Sequence, residues 1–225
     1  SDLHNKKFGP QQKNIIKKIK SISPDIIVVT GDLIDRRKYD LETALTFIEK
    51  AVEIAPVYYV SGNHEIWSGK YDLIRSKLID AKATVLDDEM VTLSNGSSSI
   101  QVLGLSHPGF LVSGGKKRTD TRKMKAQLQK WSGNEGFQIL LSHRPDFFDL
   151  YKKSNIDVIF SGHSHGGQFR IPGIGGLLSP DQGFFPKYDG GRYAEDGSVM
   201  YVSRGLGNSL VPIRIFNRPE IIAVT

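Results

Sequence analysis

The sequence predicts an α/β fold. Apolar runs rich in β-branched residues, at Asp25 to Thr30, Val57 to Val60, Phe137 to Leu141 and from Val158 onward, stop at glycine or polar turns, and stretches with apolar residues at helical spacing lie among them. Continuous apolar runs suit central strands of a parallel sheet, which are covered on both faces. Each run also delivers histidine, aspartate or asparagine just past its end, the edge where open α/β sheets keep their chemistry.

Taken in order, Gln11 to Ile22 carries Ile15, Ile16, Ile19 and Ile22 on one face with lysines opposite, a surface helix closed by Pro24. The strand Asp25 to Thr30 runs into Gly31-Asp32-Leu33-Ile34-Asp35. A helix over Leu41 to Ile54 presents Leu41, Leu45, Ile48 and Val52; Pro56 closes it, and the strand Val57 to Val60 leads into Ser61-Gly62-Asn63-His64-Glu65. Tyr71 to Ala81 predicts a helix with Leu73, Ile74, Leu78 and Ile79 inward. Short strand-like pieces at Thr84 to Leu86, Met90 to Leu93 and Ile100 to Leu105, separated by turn residues, predict an antiparallel hairpin on a second sheet. The basic stretch Lys116 to Lys130 reads as an exposed loop running into a helix that ends at Trp131. The strand Phe137 to Leu141 precedes Ser142-His143-Arg144-Pro145, and a short helix spans Phe147 to Lys153. The strand from Val158 ends at Gly162-His163-Ser164-His165. Beyond it, Phe169 to Tyr193 is expected to be a glycine-rich apolar loop, a length that is usually functional. Val199 to Ser203, Val211 to Phe216 and Ile221 to Val224 are expected as antiparallel strands.

A chain of 225 residues, 39% hydrophobic and 24% charged, is expected to form one domain, residues 1–225, around a sizeable core. With no cysteine, thiolate metal sites are excluded, so any metal must be held by His, Asp, Glu or Asn. The net charge of +6 favours anionic partners, a phosphate-bearing substrate or an anionic surface. No stretch approaches the ~18 to 20 apolar residues of a membrane span. The Asp2-x-His4 turn at the start normally follows a strand, so more sequence is expected upstream, with room for a targeting or anchoring segment.

The strand-end turns bring forward Asp2, His4, Asp32, Asn63, His64, His143, His163 and His165; of the six histidines only His107 falls outside them. Neutral imidazoles and carboxylates suit Mn²⁺, Fe, Zn²⁺ or Co²⁺, and a carboxylate can bridge two such ions ~3.5 to 4 Å apart. Asp32 is the natural bridge. A water shared between the ions would be deprotonated at neutral pH and attack phosphorus in line, leaving a non-ligand histidine to assist the leaving group.

In this order, Asp-x-His, Gly-Asp-x-x-Asp, Gly-Asn-His-Glu, a single His after a strand, and Gly-His-x-His closely resemble the signature of the calcineurin-like metallophosphoesterases, and all five blocks are present between Asp2 and His165. The resemblance implies a four-layer α/β/β/α sandwich of two facing mixed sheets with flanking helices. It implies Asp2, His4, Asp32 and His165 as ligands of one metal and Asp32, Asn63, His143 and His163 as ligands of a second. His64 becomes the non-ligand catalytic histidine, with Asp35 and Glu65 orienting imidazoles. A narrower resemblance, to the membrane-associated bacterial branch, rests on Gly162 to Gln168, Pro180 to Tyr188 and Ser203 to Asn208. It implies a membrane-associated or extracytoplasmic location; some relatives act on lipid-linked or nucleotide-sugar pyrophosphates.

Among other candidates, Arg144 is expected to clamp phosphate together with Asn63, while Arg36 and Arg37 are read as solvated. His107 is expected to be structural or on the surface, and Asn208 is within possible reach of the site. The resulting expectation is a monomeric hydrolase for mono-, di- or pyrophosphate bonds of a small-molecule or lipid-linked substrate. A nuclease of the same superfamily is the alternative, weakened by the lack of aromatic-basic interleaving, so nucleic acid is disfavoured as a partner. A non-catalytic scaffold is a further alternative, against which all expected ligand positions are filled.

Overall fold

The computed structural model describes residues 1–113, 116–208 and 212–225. Two sheets carry the fold. Ile27–Thr30, Val57–Val60 and Thr84–Val85 form a three-stranded parallel sheet in that order. The second sheet has six strands in the order Gly191–Glu195, Ser198–Val202, Val158–Ser161, Phe137–Ser142, Ser98–Leu105 and Glu89–Asn95. Its four inner strands are parallel to one another and each outer strand is antiparallel to its neighbour. The Glu89–Asn95 and Ser98–Leu105 pair is the hairpin expected from the turn residues at Ser94 to Ser99, whereas Thr84–Val85, expected beside it on the second sheet, joins the small parallel sheet instead.

Three apolar clusters hold these elements. Ile15, Ile16 and Ile19 of the helix Lys13–Lys20, Phe47 and Ile48 of Leu41–Val52, and Ile74 and Leu78 of Tyr71–Asp80 pack with Val29, Val57 and Tyr59 of the small sheet. Met124, Leu128 and Trp131 of the helix Arg122–Trp131, with Phe148 and Tyr151 of Phe148–Tyr151, pack with Leu103, Leu140, Ile159 and Met200 of the large sheet. Tyr58 and Val60 of the small sheet meet Val102 and Leu141 of the large one in a third cluster with Leu86. Each such side chain, fully buried, is worth ~1.5–3 kcal/mol. Successive residues of a strand face opposite ways, so Val57 and Tyr59 serve one cluster while Tyr58 and Val60 serve another. That division is why the run is apolar throughout.

Several expectations need correction. In Tyr71–Asp80 only Ile74 and Leu78 are fully buried; Leu73 and Ile79 are 51% and 44% exposed, because an i,i+4 seam suffices against this neighbour. The expected loop from Phe169 to Tyr193 contains two small hairpins, Arg170–Ile171 with Gly175–Gly176 and Leu178–Ser179 with Gly183–Phe184, and the start of the edge strand Gly191–Glu195. Of the last two expected strands, Val211 lies outside the described residues, and residues 212–225 form no strand, only a bridge between Phe169 and Ile215. Pro212 and Pro219 lack the N–H that a ladder needs. Asn63–Trp67, read as a turn, is a short helix.

Candidate metal centre

The parallel strands of both sheets end at one place. Thr30 and Val60 end two strands of the small sheet, Ser142 and Ser161 two of the large one, and the next few residues are Asp32, Asn63, His143, His163 and His165. The first residues join them through backbone bonds, Asp2 N–H to Gly31 C=O at 2.9 Å and His4 N–H to Asp32 C=O at 3.1 Å. Asp2, His4, Asp32, His163 and His165 all have φ between +46° and +67°. Such left-handed non-glycine residues cost ~1–3 kcal/mol each and persist where the surroundings impose them, commonly at functional sites. Two motif glycines are required by close approach: a Cβ on Gly62 would fall on the Asp32 carboxylate, and one on Gly162 on the side chains of Ser1 and Asp2.

All eight side chains at these strand ends and turns are buried. Potential ligand atoms of Asp2, His4, Asp32 and His165 lie within 4.8 Å of one another, and so do those of Asp32, His143 and His163. In the first set, His4 Nε2 is 3.2 Å from His165 Nε2, and His165 Nε2 is 3.3 Å from Asp2 Oδ1. In the second, His143 Nε2 is 3.1 Å from both Asn63 Oδ1 and His163 Nδ1. Asp32 Oδ2 belongs to both, 3.6 Å from His4 Nε2 and 3.3 Å from His143 Nε2.

The tautomers show that cations fit this arrangement. His143 Nδ1 lies 2.7 Å from the Thr30 carbonyl and donates to it, which leaves the Nε2 lone pair facing inward in the neutral ring. His163 Nε2 lies 2.9 Å from Asp181 Oδ2 and donates to it, which leaves the Nδ1 lone pair facing the same point. Two lone pairs 3.1 Å apart beside a carboxylate repel each other unless a cation or a proton lies between them. Without metal the proton takes that place: burial opposes charge on His143, but Asp32 outweighs it and raises the pKa to about 9. Burial likewise opposes charge on Asp2, yet His165 and His143 hold it at about 2. A third set, His4, Asp35 and His64, also lies within 4.8 Å, but Arg37 holds Asp35 in a two-point ion pair and Arg36 N–H donates to His64 Nδ1.

A family model for calcineurin-like phosphoesterases matches residues 1–167. The chain belongs to the calcineurin-like phosphoesterase family. It is 29% identical over 221 residues to the uncharacterized metallophosphoesterase YkuE of Bacillus subtilis (strain 168), an alignment covering 95% of this chain and 71% of that one. It is 26% identical over 283 residues to the UDP-2,3-diacylglucosamine pyrophosphatase LpxG of Chlamydia muridarum (strain MoPn / Nigg), covering 98% and 80%. Among solved structures, the phosphopantetheinyl hydrolase PptH of Mycobacterium tuberculosis superposes with a TM-score of 0.54 at 12% identity, covering 89% of this chain and 86% of that one, a likeness of fold. This calcineurin-like phosphoesterase is thus a metal-dependent phosphoester hydrolase with His/Asp groups able to hold metal. Among its described residues, no helix is long and apolar enough to cross a membrane.

The remaining candidates of this phosphoesterase are placed as follows. Glu65 orients no imidazole. Its carboxylate accepts N–H groups from Asp32 at 2.8 Å, Gly62 at 2.9 Å and Ile34 at 3.1 Å, and so ties the turn after Thr30 to the turn after Val60. Asp35 Oδ1 lies 3.5 Å from His64 Nδ1, but that nitrogen accepts from Arg36 N–H, so the two atoms share no hydrogen bond. Arg144 is buried, its Nε and Nη2 committed to Asp146 and its Nη1 3.1 Å from Asp181 Oδ2. Asn208 bonds instead to Pro212 and Arg214. Arg36 lies over the Trp67 ring, 5.1 Å from its centre. His107 is buried, not on the surface.

Sequence reasoning missed two contributors. Asp181 pairs with both His163 and Arg144, and Asn217 Nδ2 donates to the carbonyls of His165 and Gln168 at 2.6 and 3.0 Å. A lone carboxylate or amide in a loop has no spacing that marks it.

Proposed function

We propose that the protein hydrolyses phosphoester bonds, in mono-, di- or pyrophosphates, at a centre of two divalent ions drawn from Mn²⁺, Fe, Zn²⁺ and Co²⁺. One ion would be held by Asp2, His4, Asp32 and His165, the other by Asp32, Asn63, His143 and His163. The observation that carries this reading is the shared Asp32 oxygen, within 3.6 Å of an inward imidazole nitrogen of each set. When bound, such ions supply Lewis acidity toward phosphoryl oxygen and lower the pKa of the attacking water.

The protein's own residues do the rest. His143 and His163 are locked in the ligating tautomer by the Thr30 carbonyl and Asp181. His64 assists the leaving group: its Nδ1 accepts from Arg36 N–H at 3.2 Å, so the neutral ring holds its proton at Nε2. Burial lowers its pKa to about 4, which favours hydrogen-bond donation from the neutral ring over a standing positive charge. Asn63 and the Nη1 edge of Arg144 are the substrate contacts on the side of the second ion.

The substrate class is a phosphate-bearing small molecule or lipid-linked phosphate. Exposed Ile174, Phe184, Phe185 and Phe216 beside a metal-ligand turn support the lipid-linked form, as does the name of the relative LpxG. The resemblance to the membrane-associated bacterial branch adds a membrane-associated or extracytoplasmic setting to this reading, with the chain acting as one monomeric domain of four stacked layers, α/β/β/α.

The test is a metal-reconstituted preparation assayed against phosphomonoesters, phosphodiesters and pyrophosphates of graded leaving-group pKa. Chelator-sensitive turnover is expected, and His64→Gln should cut hydrolysis of alkyl esters by ~10² to 10⁴ while sparing activated aryl esters. No turnover with both ions bound would overturn the function, and equal losses on both ester types would overturn the role of His64.

A further inference from the structure

His107 is 5% exposed, and neither of its ring nitrogens has a hydrogen-bond partner among the described residues. A buried polar ring without partners costs free energy, and each such group in a native protein calls for an explanation. It belongs to none of the three sets of possible metal ligands among the described residues. Its position is imposed through the backbone: His107 N–H donates to Ser61 Oγ at 3.2 Å, Ser61 Oγ donates to Asp87, and the preceding Ser106 is bonded twice to Asp88. The chain therefore fixes a ring whose own bonding capacity is left unused.

The surroundings indicate what would use it. The His107 ring centre lies 6.1 Å from that of His143 and 5.9 Å from that of Trp67. Trp67 in turn lies 6.5 Å from His64, whose ring is 4.5 Å from His4. The two non-ligand histidines thus flank the centre, His64 beside the first ligand set and His107 beside the second. An imidazole carries at least one N–H donor in either protonation state, and the Arg144 guanidinium lies nearby. A buried N–H donor near a guanidinium suits an anionic oxygen.

We propose that His107 is a substrate-binding residue whose ring N–H donates to a phosphoryl oxygen of the substrate on the His143 and His163 side of the centre. This rests on the phosphohydrolase reading above. It makes His107 the counterpart of His64, one ring serving the leaving oxygen and the other a phosphoryl oxygen that stays on phosphorus.

The test uses His107→Phe, which keeps a ring and removes both nitrogens, and His107→Asn, which keeps a donor. Three quantities are measured on the whole chain: thermal midpoint without metal, metal content, and binding of inorganic phosphate to the metal-loaded protein by calorimetry. His107→Phe should keep its midpoint or raise it, since two unpartnered buried nitrogens are gone, and should keep its metal. It should bind phosphate about 10- to 100-fold more weakly, the worth of one hydrogen bond to a charged group, with kcat/KM falling in step on any substrate turned over. His107→Asn should recover part of the loss. Unchanged phosphate affinity in both variants would overturn the proposal. So would a midpoint lowered by several degrees, which would mean a structural hydrogen bond, or a lost ion, which would mean a ligand. Phosphate binding is read directly, so a wild-type protein that binds phosphate but turns nothing over would sink the hydrolase reading and leave this one standing.

Discussion

Removing the Glu65 carboxylate should loosen at once the turns that carry Asp32 and Asn63. Its two oxygens accept three buried N–H groups, from Asp32, Gly62 and Ile34. In Glu65→Ala these donors lose their acceptor, and at ~1–3 kcal/mol per unsatisfied buried group the cost is roughly 3–9 kcal/mol. That is comparable with the ~5–15 kcal/mol of a whole domain, so the Ala variant is expected to be barely folded. Glu65→Gln keeps one oxygen, able to serve the two N–H groups now taken by Oε2, and turns an amide NH₂ toward the third; its expected cost is ~1–3 kcal/mol. The assay is urea unfolding with chelator present, so that metal binding does not contribute to apparent stability. A second readout is metal affinity, which should fall for both ions in the Gln variant because Asp32, at φ +55°, is held in place by this carboxylate. A loss below ~1 kcal/mol in Glu65→Ala, or a Gln variant less stable than the Ala variant, would show that these three bonds do not hold the turns.

Asp181→Asn should weaken metal binding by ~10- to 100-fold, since it removes the charge that orients His163 through Nε2; an unchanged affinity in a metal titration would show that this pairing does nothing for the centre. Phe184 and Phe185 are 71% and 61% exposed, so the double change Phe184→Ser, Phe185→Ser should alter stability by no more than ~0.5 kcal/mol per site. Activity on long-chain phosphoesters in anionic vesicles should nevertheless fall far more than activity on a soluble chromogenic ester. Equal losses on the two would remove these side chains from the route of the lipid.

Much of the fold was legible because strands covered on both faces are apolar throughout, as Val57 to Val60 is, and because prolines and glycines mark their ends. The candidate site was legible for a related reason: its His, Asp and Asn side chains come directly after apolar runs, and parallel strand ends bring them together, so position and chemistry coincide in the sequence. What escaped depends on partners distant along the chain. Leu73 and Ile79 lie at helical spacing yet face solvent, since periodicity gives the direction of a face and not the width of its neighbour. Ile213 and Ile215 look like strand residues, but Pro212 and Pro219 limit that segment to a single bridge. Glu65 was expected to act on an imidazole and acts on backbone N–H groups, which no side-chain pattern reveals. Asp181 reaches His163 across 18 residues of loop, and His107 is buried by elements far from it in sequence.

If Asp32 holds two ions at once, as proposed, a count of bound metal decides it. Anomalous scattering from crystals of the reconstituted protein, with elemental analysis of the same preparation, should show two ions per chain, one on each side of the Asp32 carboxylate. Asp32→Ala should lose occupancy at both positions, while His4→Ala should lose it mainly at the position shared with Asp2 and His165. A single ion in the wild type, or two ions retained in Asp32→Ala, would rule out Asp32 as the shared ligand.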